Sequence, residues 1–492
     1  MSGSSMLLLA ALVLLLLLLV WKRRGSRGLP LPPGPPGLPL LGNLLQVDKN
    51  APYTTFMKWS KQYGEVMTVH IGPQRYVILT GHETVKEALV DQAEDFTGRP
   101  PAPFFIKVAN GHGIGTSNGE RWQQMRRFTL STLKDFGMGR KRMEQWIQEE
   151  SRHLLDSLRD TKSSPFNPAV LLSRAVSNVI CALVFGERFS YDDANFLQLL
   201  RTISDTIRFQ STPLGQLYNI VPRLLDLLPG PHQDLFRQLE VLKAFISEKI
   251  HQHKDTLDPG NPRDYIDCFL IRLNQENDMP ESEFNYENLK ASVLDLFMAG
   301  TESTSTTIRY ALMVLIKHPE TQEHMHEEII GVLGQNGVPK MEDRKSLPFT
   351  DAVIHEVQRY MDLVPLNVPH YATKNISFKG YIIPKDTIII PLLHSVLRDE
   401  NQWESAWTFN PDNFLDQNGN FKKSTAFIPF SSGKRSCVGE SLARMELLLF
   451  LVSIVQKFHL STPGGPSSLD TNPEFSSFLK VPVQYELIAT PR

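Results

Sequence analysis

Residues 429–450 read PFSSGKRSCVGESLARMELLLF, a basic, glycine-bearing loop that runs into an apolar helical pattern with Cys437 at the junction. From Gly439 onward the apolar spacing predicts a helix, so Cys437 stands at or just before its N-terminus. Free backbone N–H groups and the helix dipole favour a thiolate there. Gly433 and Gly439 allow tight turns and the close approach of something flat or bulky, while Lys434 and Arg435 add positive charge. Such a thiolate can act as a nucleophile or as a metal ligand. A nucleophile needs a nearby base, a redox pair needs a second cysteine, and zinc needs three or four ligands. The sequence places none of these close by: the nearest histidine is His459, well down the following helix, and the other cysteines are Cys181 and Cys268.

Haem iron needs only one thiolate, because the porphyrin supplies the four in-plane ligands. Cys181 and Cys268 lie in apolar helical runs, where a small buried hydrophobe is the expected role. Three cysteines without a CxxC pair give no disulfide framework and fit a reducing compartment.

The rest of the chain is ordinary in composition: 492 residues, 41% hydrophobic, 21% charged, net charge −2. That balance argues against nucleic acid as the partner. Strand-like patches (VMTVHIG, RYVILTG, TIIIPLL, VQYELIA) are few, and long helical patterns fill the sequence between them. The expected fold is therefore mostly α with a small β portion. The longest pattern, from Tyr286 to His318, is unbroken until Pro319 and predicts a helix of about 50 Å. Its flanks are apolar but its centre, Thr301 to Thr307, reads TESTSTT, beside the helix-weakening Gly300. Polar residues in the middle of a buried helix mark function, or else hydroxyls bonded back to carbonyls one turn earlier.

At the N-terminus, Met6 to Trp21 is a leucine-dominated run followed by Lys22, Arg23, Arg24 and Arg27. With basic residues behind the apolar core rather than before it, the run reads as a signal-anchor helix whose following chain faces the cytosol. Residues 1–24 are expected to form this anchor and basic stop, 25–50 a proline-rich hinge, and 51–492 one catalytic domain.

FSSGKRSCVG, Phe430 to Gly439, resembles the haem-ligand loop of the cytochrome P450 superfamily, F-x-x-G-x-R-x-C-x-G, at all of its fixed positions. The resemblance extends over essentially the whole chain and is closest to the microsomal, family-2 type. It implies the cytochrome P450 fold preceded by a membrane anchor, haem b as cofactor, and Cys437 as the proximal iron ligand. Trp122-Gln123-Gln124-Met125-Arg126 resembles the family's W-x-x-x-R, which puts Trp122 and Arg126 on one helix face toward a haem propionate. In that context Arg99, His370 and Arg435 are further propionate partners. Glu356 and Arg359 match E-x-x-R, a buried pair supporting the haem face. The family's third partner is an arginine in P-E-R-F; here Pro411-Asp412-Asn413-Phe414 carries Asn413 instead, so a hydrogen bond replaces a charge pair.

Ala299-Gly300-Thr301-Glu302-Ser303-Thr304 resembles A-G-x-[DE]-T-[TS], the groove that admits oxygen and relays protons beside the haem. Glu302 and Ser303 are the relay candidates, with Thr304 able to share the role because Ser303 stands where threonine is usual. By position in the family pattern, Phe104, Phe105, Ile207, Phe209, Leu296, Ala299, Val364, Val368 and Phe478 line the substrate pocket. The implied activity is a monooxygenase acting on apolar small molecules such as xenobiotics, fatty acids or steroids. GHGIGTSNG at 111–119 lacks the G-x-G-x-x-G spacing and reads as a flexible loop above the haem, so electrons must come from another protein. The resemblance names NADPH–cytochrome P450 reductase, with cytochrome b5 assisting, at the endoplasmic reticulum membrane. Lys422, Lys423 and Lys434 form either a basic docking face for it or a solvated charge cluster. A reductase-independent haem-thiolate isomerase and a non-catalytic haem or lipid sensor are the rival readings.

Overall fold

A computed structural model describes residues 13, 15, 30–137 and 142–492. The anchor expected over 1–24 and the first residues of the hinge lie outside the described residues, apart from Val13 and Leu15. The chain divides into two compact units.

The smaller unit comprises residues up to Pro100, then Pro365–Val396 and Ser431–Arg435. Its sheet is built from β1 (Val66–Ile71), β2 (Gln74–Leu79), β3 (His370–Tyr371) and β4 (Ile388–Pro391), in the order β1-β2-β4-β3. β1 and β2 form an antiparallel hairpin in which Ile71 pairs with Gln74, and β2 runs parallel to β4. Met67, Val69, Ile78 and Ile390 pack with Tyr53 and Phe56 as this unit's core. The outer side of β1 is occupied by the proline-rich segment. Thr68 N–H donates to Pro33 O (2.8 Å), Gly72 N–H to Leu41 O (3.1 Å), and His70 N–H to Asn43 Oδ1 (2.9 Å). The approach at Gly34 is so close that a Cβ there would lie 1.9 Å from Thr68 O.

The larger unit, residues 101–364, 397–430 and 436–492, is helical. The helices used below are α1 (Pro103–Ala109), α2 (Gly119–Gly137), α3 (Pro168–Phe185), α4 (Ala194–Gln210), α5 (Pro231–Asp255), α6 (Tyr286–Lys317), α7 (Pro348–Met361) and α8 (Glu440–Lys457). α6 is the long helix expected from the sequence. Asn285 caps its start by accepting from Asn288 N–H (2.9 Å), and Pro319 begins the next helix. α3 is apolar nearly all round because it is a core helix packed on α6. Gly300 has a packing reason: a Cβ there would lie 2.6 Å from Ile180 Cδ1 of α3.

One expected strand is mostly absent. Within VQYELIA only the end is paired: Leu487 bridges Phe166, and Ile488–Pro491 runs against Phe458–Ser461. Tyr485 turns inward instead, its hydroxyl donating to Arg309 O of α6 (2.8 Å). Its alternating pattern anchors the segment to a helix rather than to a sheet.

Candidate functional site

The cysteine loop is shaped by backbone before side chains. Ser431 and Gly433 hold positive φ (63° and 73°), Gly433–Arg435 make a 3-10 turn, and Cys437 N–H donates to Phe430 O (3.0 Å). A Cβ on Gly433 would lie 1.7 Å from Leu89 O. Gly433→Ala therefore combines a backbone clash with a strained φ of ~1–3 kcal/mol. The expected result is loss of most haem-loadable protein, checked by the haem-to-protein absorbance ratio after purification.

Gly439 is the N-cap of α8, as the sequence led us to expect. The Cys437 thiol is solvent-accessible yet so closely surrounded by protein that desolvation pushes its pKa up. A group both accessible and enclosed faces an internal space. Backbone N–H groups of Gly439 and Glu440 and the Arg126 charge pull the other way without prevailing. The N–H groups at the helix start and the basic neighbour do favour a thiolate, as the sequence suggests, but burial outweighs them. A metal cation bound at Sγ would restore the thiolate.

In the same unit, α2 brings Trp122 and Arg126 one turn apart. Trp122 is buried, and Arg126 donates to Ser436 O (2.7 Å) and Ser436 Oγ (3.1 Å), next to Cys437. The smaller unit gathers the other three expected propionate partners. Arg99 Nη1 donates to Val368 O and Pro369 O (2.8 Å each), and Arg435 Nε to Thr97 O (2.7 Å). His370 Nδ1 donates to Phe96 O, leaving buried Nε2 with no hydrogen-bond partner among the described residues. Burial and the charges of Arg99 and Arg435 hold the His370 pKa well below its usual value. Thr97, His370, Ser432 and Arg435 lie together in this unit. A cluster of two arginines with an orphaned imidazole nitrogen suits carboxylates by its donor chemistry, and a thiol at a helix N-terminus suits iron. The residues present therefore fit a haem.

Along α6 most residues are buried, but Asp295, Ala299, Ser303 and Thr307, spaced by four, keep accessible surface. This stripe is one helix face opening onto space inside a core helix's surroundings. The relay candidates diverge around it. Ser303 lies on the stripe, its hydroxyl donating back to Ala299 O (2.7 Å). Glu302 is buried, with Oε1 accepting from Thr306 Oγ1 (3.4 Å); burial raises its pKa against the charge of Arg309. Thr304 is buried too and hydrogen-bonds Glu446, whose pKa burial lifts well above normal.

Of the expected pocket residues, Phe104 packs on Phe105 (5.5 Å between centroids) and Phe209 (5.9 Å), and Phe105 on Phe478 (6.4 Å). Leu296 is buried one turn before Ala299–Gly300, and Ile207 is half-buried on α4. Val364 is half-buried in the larger unit, whereas Val368 belongs to the smaller one and is exposed.

Support for this architecture comes from α7. Glu356 and Arg359 are fully buried and joined by two hydrogen bonds of 2.7 Å. Arg359 also donates to the carbonyls of Leu397, Ser405, Ala406 and Thr408 (2.8–3.1 Å). Asn413 Nδ2 reaches both Glu356 oxygens at 3.3 Å, a neutral donor where the family pattern has a charge.

Sequence reasoning missed Asp295. Its Oδ2 accepts from Ile114 N–H (2.7 Å) and Gly115 N–H (2.9 Å), while Asn288 Oδ1 accepts from Gly113 N–H (3.2 Å). The 111–118 loop is thereby pinned to α6, and burial pushes the Asp295 pKa up to about 6. Partners some 180 residues apart leave no local sequence signal. Lys422, Lys423 and Lys434 are exposed, and Lys434 is paired with Glu94.

A family model described as Cytochrome P450 matches residues 32–489. The chain is 48% identical over 473 residues to Cytochrome P450 2A13 of Homo sapiens, covering 96% of each chain. It is 49% identical over 472 residues to Cytochrome P450 2C20 of Macaca fascicularis and 48% identical over 472 residues to Cytochrome P450 2C5 of Oryctolagus cuniculus, again with 96% of each chain covered.

Proposed function

The chain belongs to the cytochrome P450 family, and from that premise we propose that it inserts one atom of O2 into apolar small molecules, the other leaving as water, and that Cys437 would hold the haem iron. Family membership makes it a haem b-binding monooxygenase, an oxidoreductase. The observation that carries the residue assignment is the Cys437 thiol, enclosed yet accessible at the N-terminus of α8. Haem, when bound, supplies the activation of O2.

The chain's own residues hold, orient and protonate. Arg126 and Trp122 from the larger unit and Arg99, His370 and Arg435 from the smaller would bind the propionates, since guanidinium forks match carboxylates. Phe104, Phe105, Phe209 and Phe478 would receive apolar substrates such as xenobiotics, fatty acids or steroids. Their rings offer contact area without a charged anchor. Ser303 would move protons by turning its hydroxyl from Ala299 O into the open face. Glu302 is the buried acid beside it and Thr304 the reserve hydroxyl.

Electrons would come from NADPH through a flavoprotein reductase, with cytochrome b5 as a second donor. The N–H groups of Gly113, Ile114 and Gly115 are already taken by side-chain oxygens, so this glycine-rich loop does not offer them to a phosphate. Lys422, Lys423 and Lys434 are exposed and would contribute to docking, Lys434 after releasing Glu94. Leu217, Leu224, Leu227 and Leu228 are 42–81% exposed, an apolar patch that supports seating on the endoplasmic reticulum membrane. The basic stop after the N-terminal run would place the domain in the cytosol.

Reconstitution with reductase, NADPH and a panel of fatty acids, steroids and aromatic hydrocarbons tests the reading. Oxygenated product dependent on both NADPH and reductase is expected. Turnover of a peroxide without either would favour the isomerase instead. In the same assay Ser303→Ala is expected to lower product per NADPH by about tenfold, with the missing reducing equivalents recovered as hydrogen peroxide. Ser303→Thr should restore coupling, because β-branching restricts the hydroxyl rotamer.

A further inference from the structure

α1 carries Phe104 and Phe105 into the aromatic cluster, yet it is only seven residues long. It runs into a segment where Asn110, Gly111 and Gly113 hold positive φ (48°, 72° and 85°). Side chains, rather than a backbone ladder, tie it to the segment between α4 and α5. Phe104 N–H donates to Asn219 Oδ1 (3.1 Å) at one end, and at the other Lys107 Nζ donates to Asp226 Oδ1 (2.5 Å). Tyr218 O–H donates to the same carboxylate oxygen (2.9 Å), and the Lys107 ammonium sits 4.2 Å from the Phe236 ring centroid. Asp226 is the only acid in VPRLLDLLPG, residues 221–230, between exposed leucines.

We propose that Lys107 and Asp226 form an ionic latch that sets how fast apolar ligands enter and leave the space faced by Ala299 and Ser303, with Tyr218 and Phe236 positioning the ammonium. The latch rests on the reading of that space as the substrate pocket. The loop after α1 is held to α6 through Asp295, on the same helix face as Ala299 and Ser303, so lifting α1 would uncover that face. Lifting α1 requires the ammonium to leave one carboxylate and one ring face, Phe104 N–H to leave Asn219, and the buried Phe104 and Val108 side chains to leave the core, and of these only the ionic contact responds to salt. The Lys107 hydrogen bond holds the Asp226 carboxyl below the usual carboxylate range, so the pair stays charged through the neutral pH range. Both side chains keep more than a third of their surface exposed, so the latch responds to salt.

Stopped-flow binding of 4-phenylimidazole to the haem-loaded full chain, read by the Soret shift, tests it. Opening is common to entry and exit, so Lys107→Met should raise both kon and koff by about fivefold at about 20 mM salt, with Kd and the carbon monoxide spectrum unchanged. Raising salt to about 500 mM should accelerate both rates in the parent but not in the variant. Asp226→Asn should match Lys107→Met, and combining Lys107→Asp with Asp226→Lys should slow exchange again. Parent-like rates in both single variants, or a salt response that persists in Lys107→Met, overturn the latch. Ala299→Phe separates the two ideas: it should abolish the azole shift, and a retained shift overturns the pocket reading on which the latch rests.

Discussion

Cys437→Ala abolishes the red-shifted Soret band of the reduced carbon monoxide complex while leaving the helical circular dichroism close to that of the parent. This is the expected result, and its size is all or nothing because no other thiolate can take over. Cys181 is fully buried and its pKa is raised well above normal by desolvation, and Cys268 is half-buried on the helix Tyr265–Gln275. Only Cys437 combines an accessible sulfur with backbone N–H groups from a helix N-terminus and a nearby arginine charge. The substitution removes one small side chain from a loop whose path is set by Gly433, Ser431 and the Cys437 N–H bond, so the loop itself should persist. A red-shifted band surviving in the variant would show that another group binds the iron and would remove the axial-ligand assignment.

The second large effect concerns stability rather than chemistry. Arg359→Met leaves the Glu356 carboxylate buried with only the neutral Asn413 amide and the Asn410 N–H as partners among the described residues. Stranding one charge of a buried pair costs ~3–5 kcal/mol, against a total stability of ~5–15 kcal/mol for a folded domain. It also strips donors from four carbonyls between Leu397 and Thr408. We expect a lowered denaturation midpoint and little haem-loaded protein. Arg359→Lys should rescue only partly, since an ammonium cannot reproduce the planar fork. Asn413→Ala should cost ~1.5–3 kcal/mol, the scale of a neutral donor's hydrogen bond to a charge. Urea denaturation of the three variants checks the order; equal losses for Asn413→Ala and Arg359→Met would contradict it.

Much of this site was legible because its signals are local. The Cys437 loop, the W-x-x-x-R turn of α2 and the E-x-x-R turn of α7 each lie within one or two helical turns, where spacing fixes geometry. The length of α6 was readable from an unbroken pattern ending at Pro319. What escaped were relations that sequence adjacency misstates. Glu302 and Ser303 are neighbours in the chain, but successive residues on a helix point about 100° apart, so one faces the core and the other the open stripe. Asp295 holding the 113–115 loop, and Lys107 meeting Asp226, join residues separated by more than a hundred positions. The segment around Tyr485 alternates because Tyr485, Leu487 and Ala489 are buried in turn, but backbone pairing begins only at Leu487, two residues after the Tyr485 hydroxyl reaches α6.

The proline-rich segment lying along β1 also bears on solubility. β1 is an edge strand, and an uncovered edge is a template for pairing with another molecule. Residues 33–43 occupy that edge through the Thr68, His70 and Gly72 N–H groups, and their prolines present few donors of their own to a newcomer. The segment is thus a built-in guard against strand-to-strand aggregation. A truncated chain meant to stay monomeric should retain everything from Pro30 onward, because trimming to Leu44 would remove the guard.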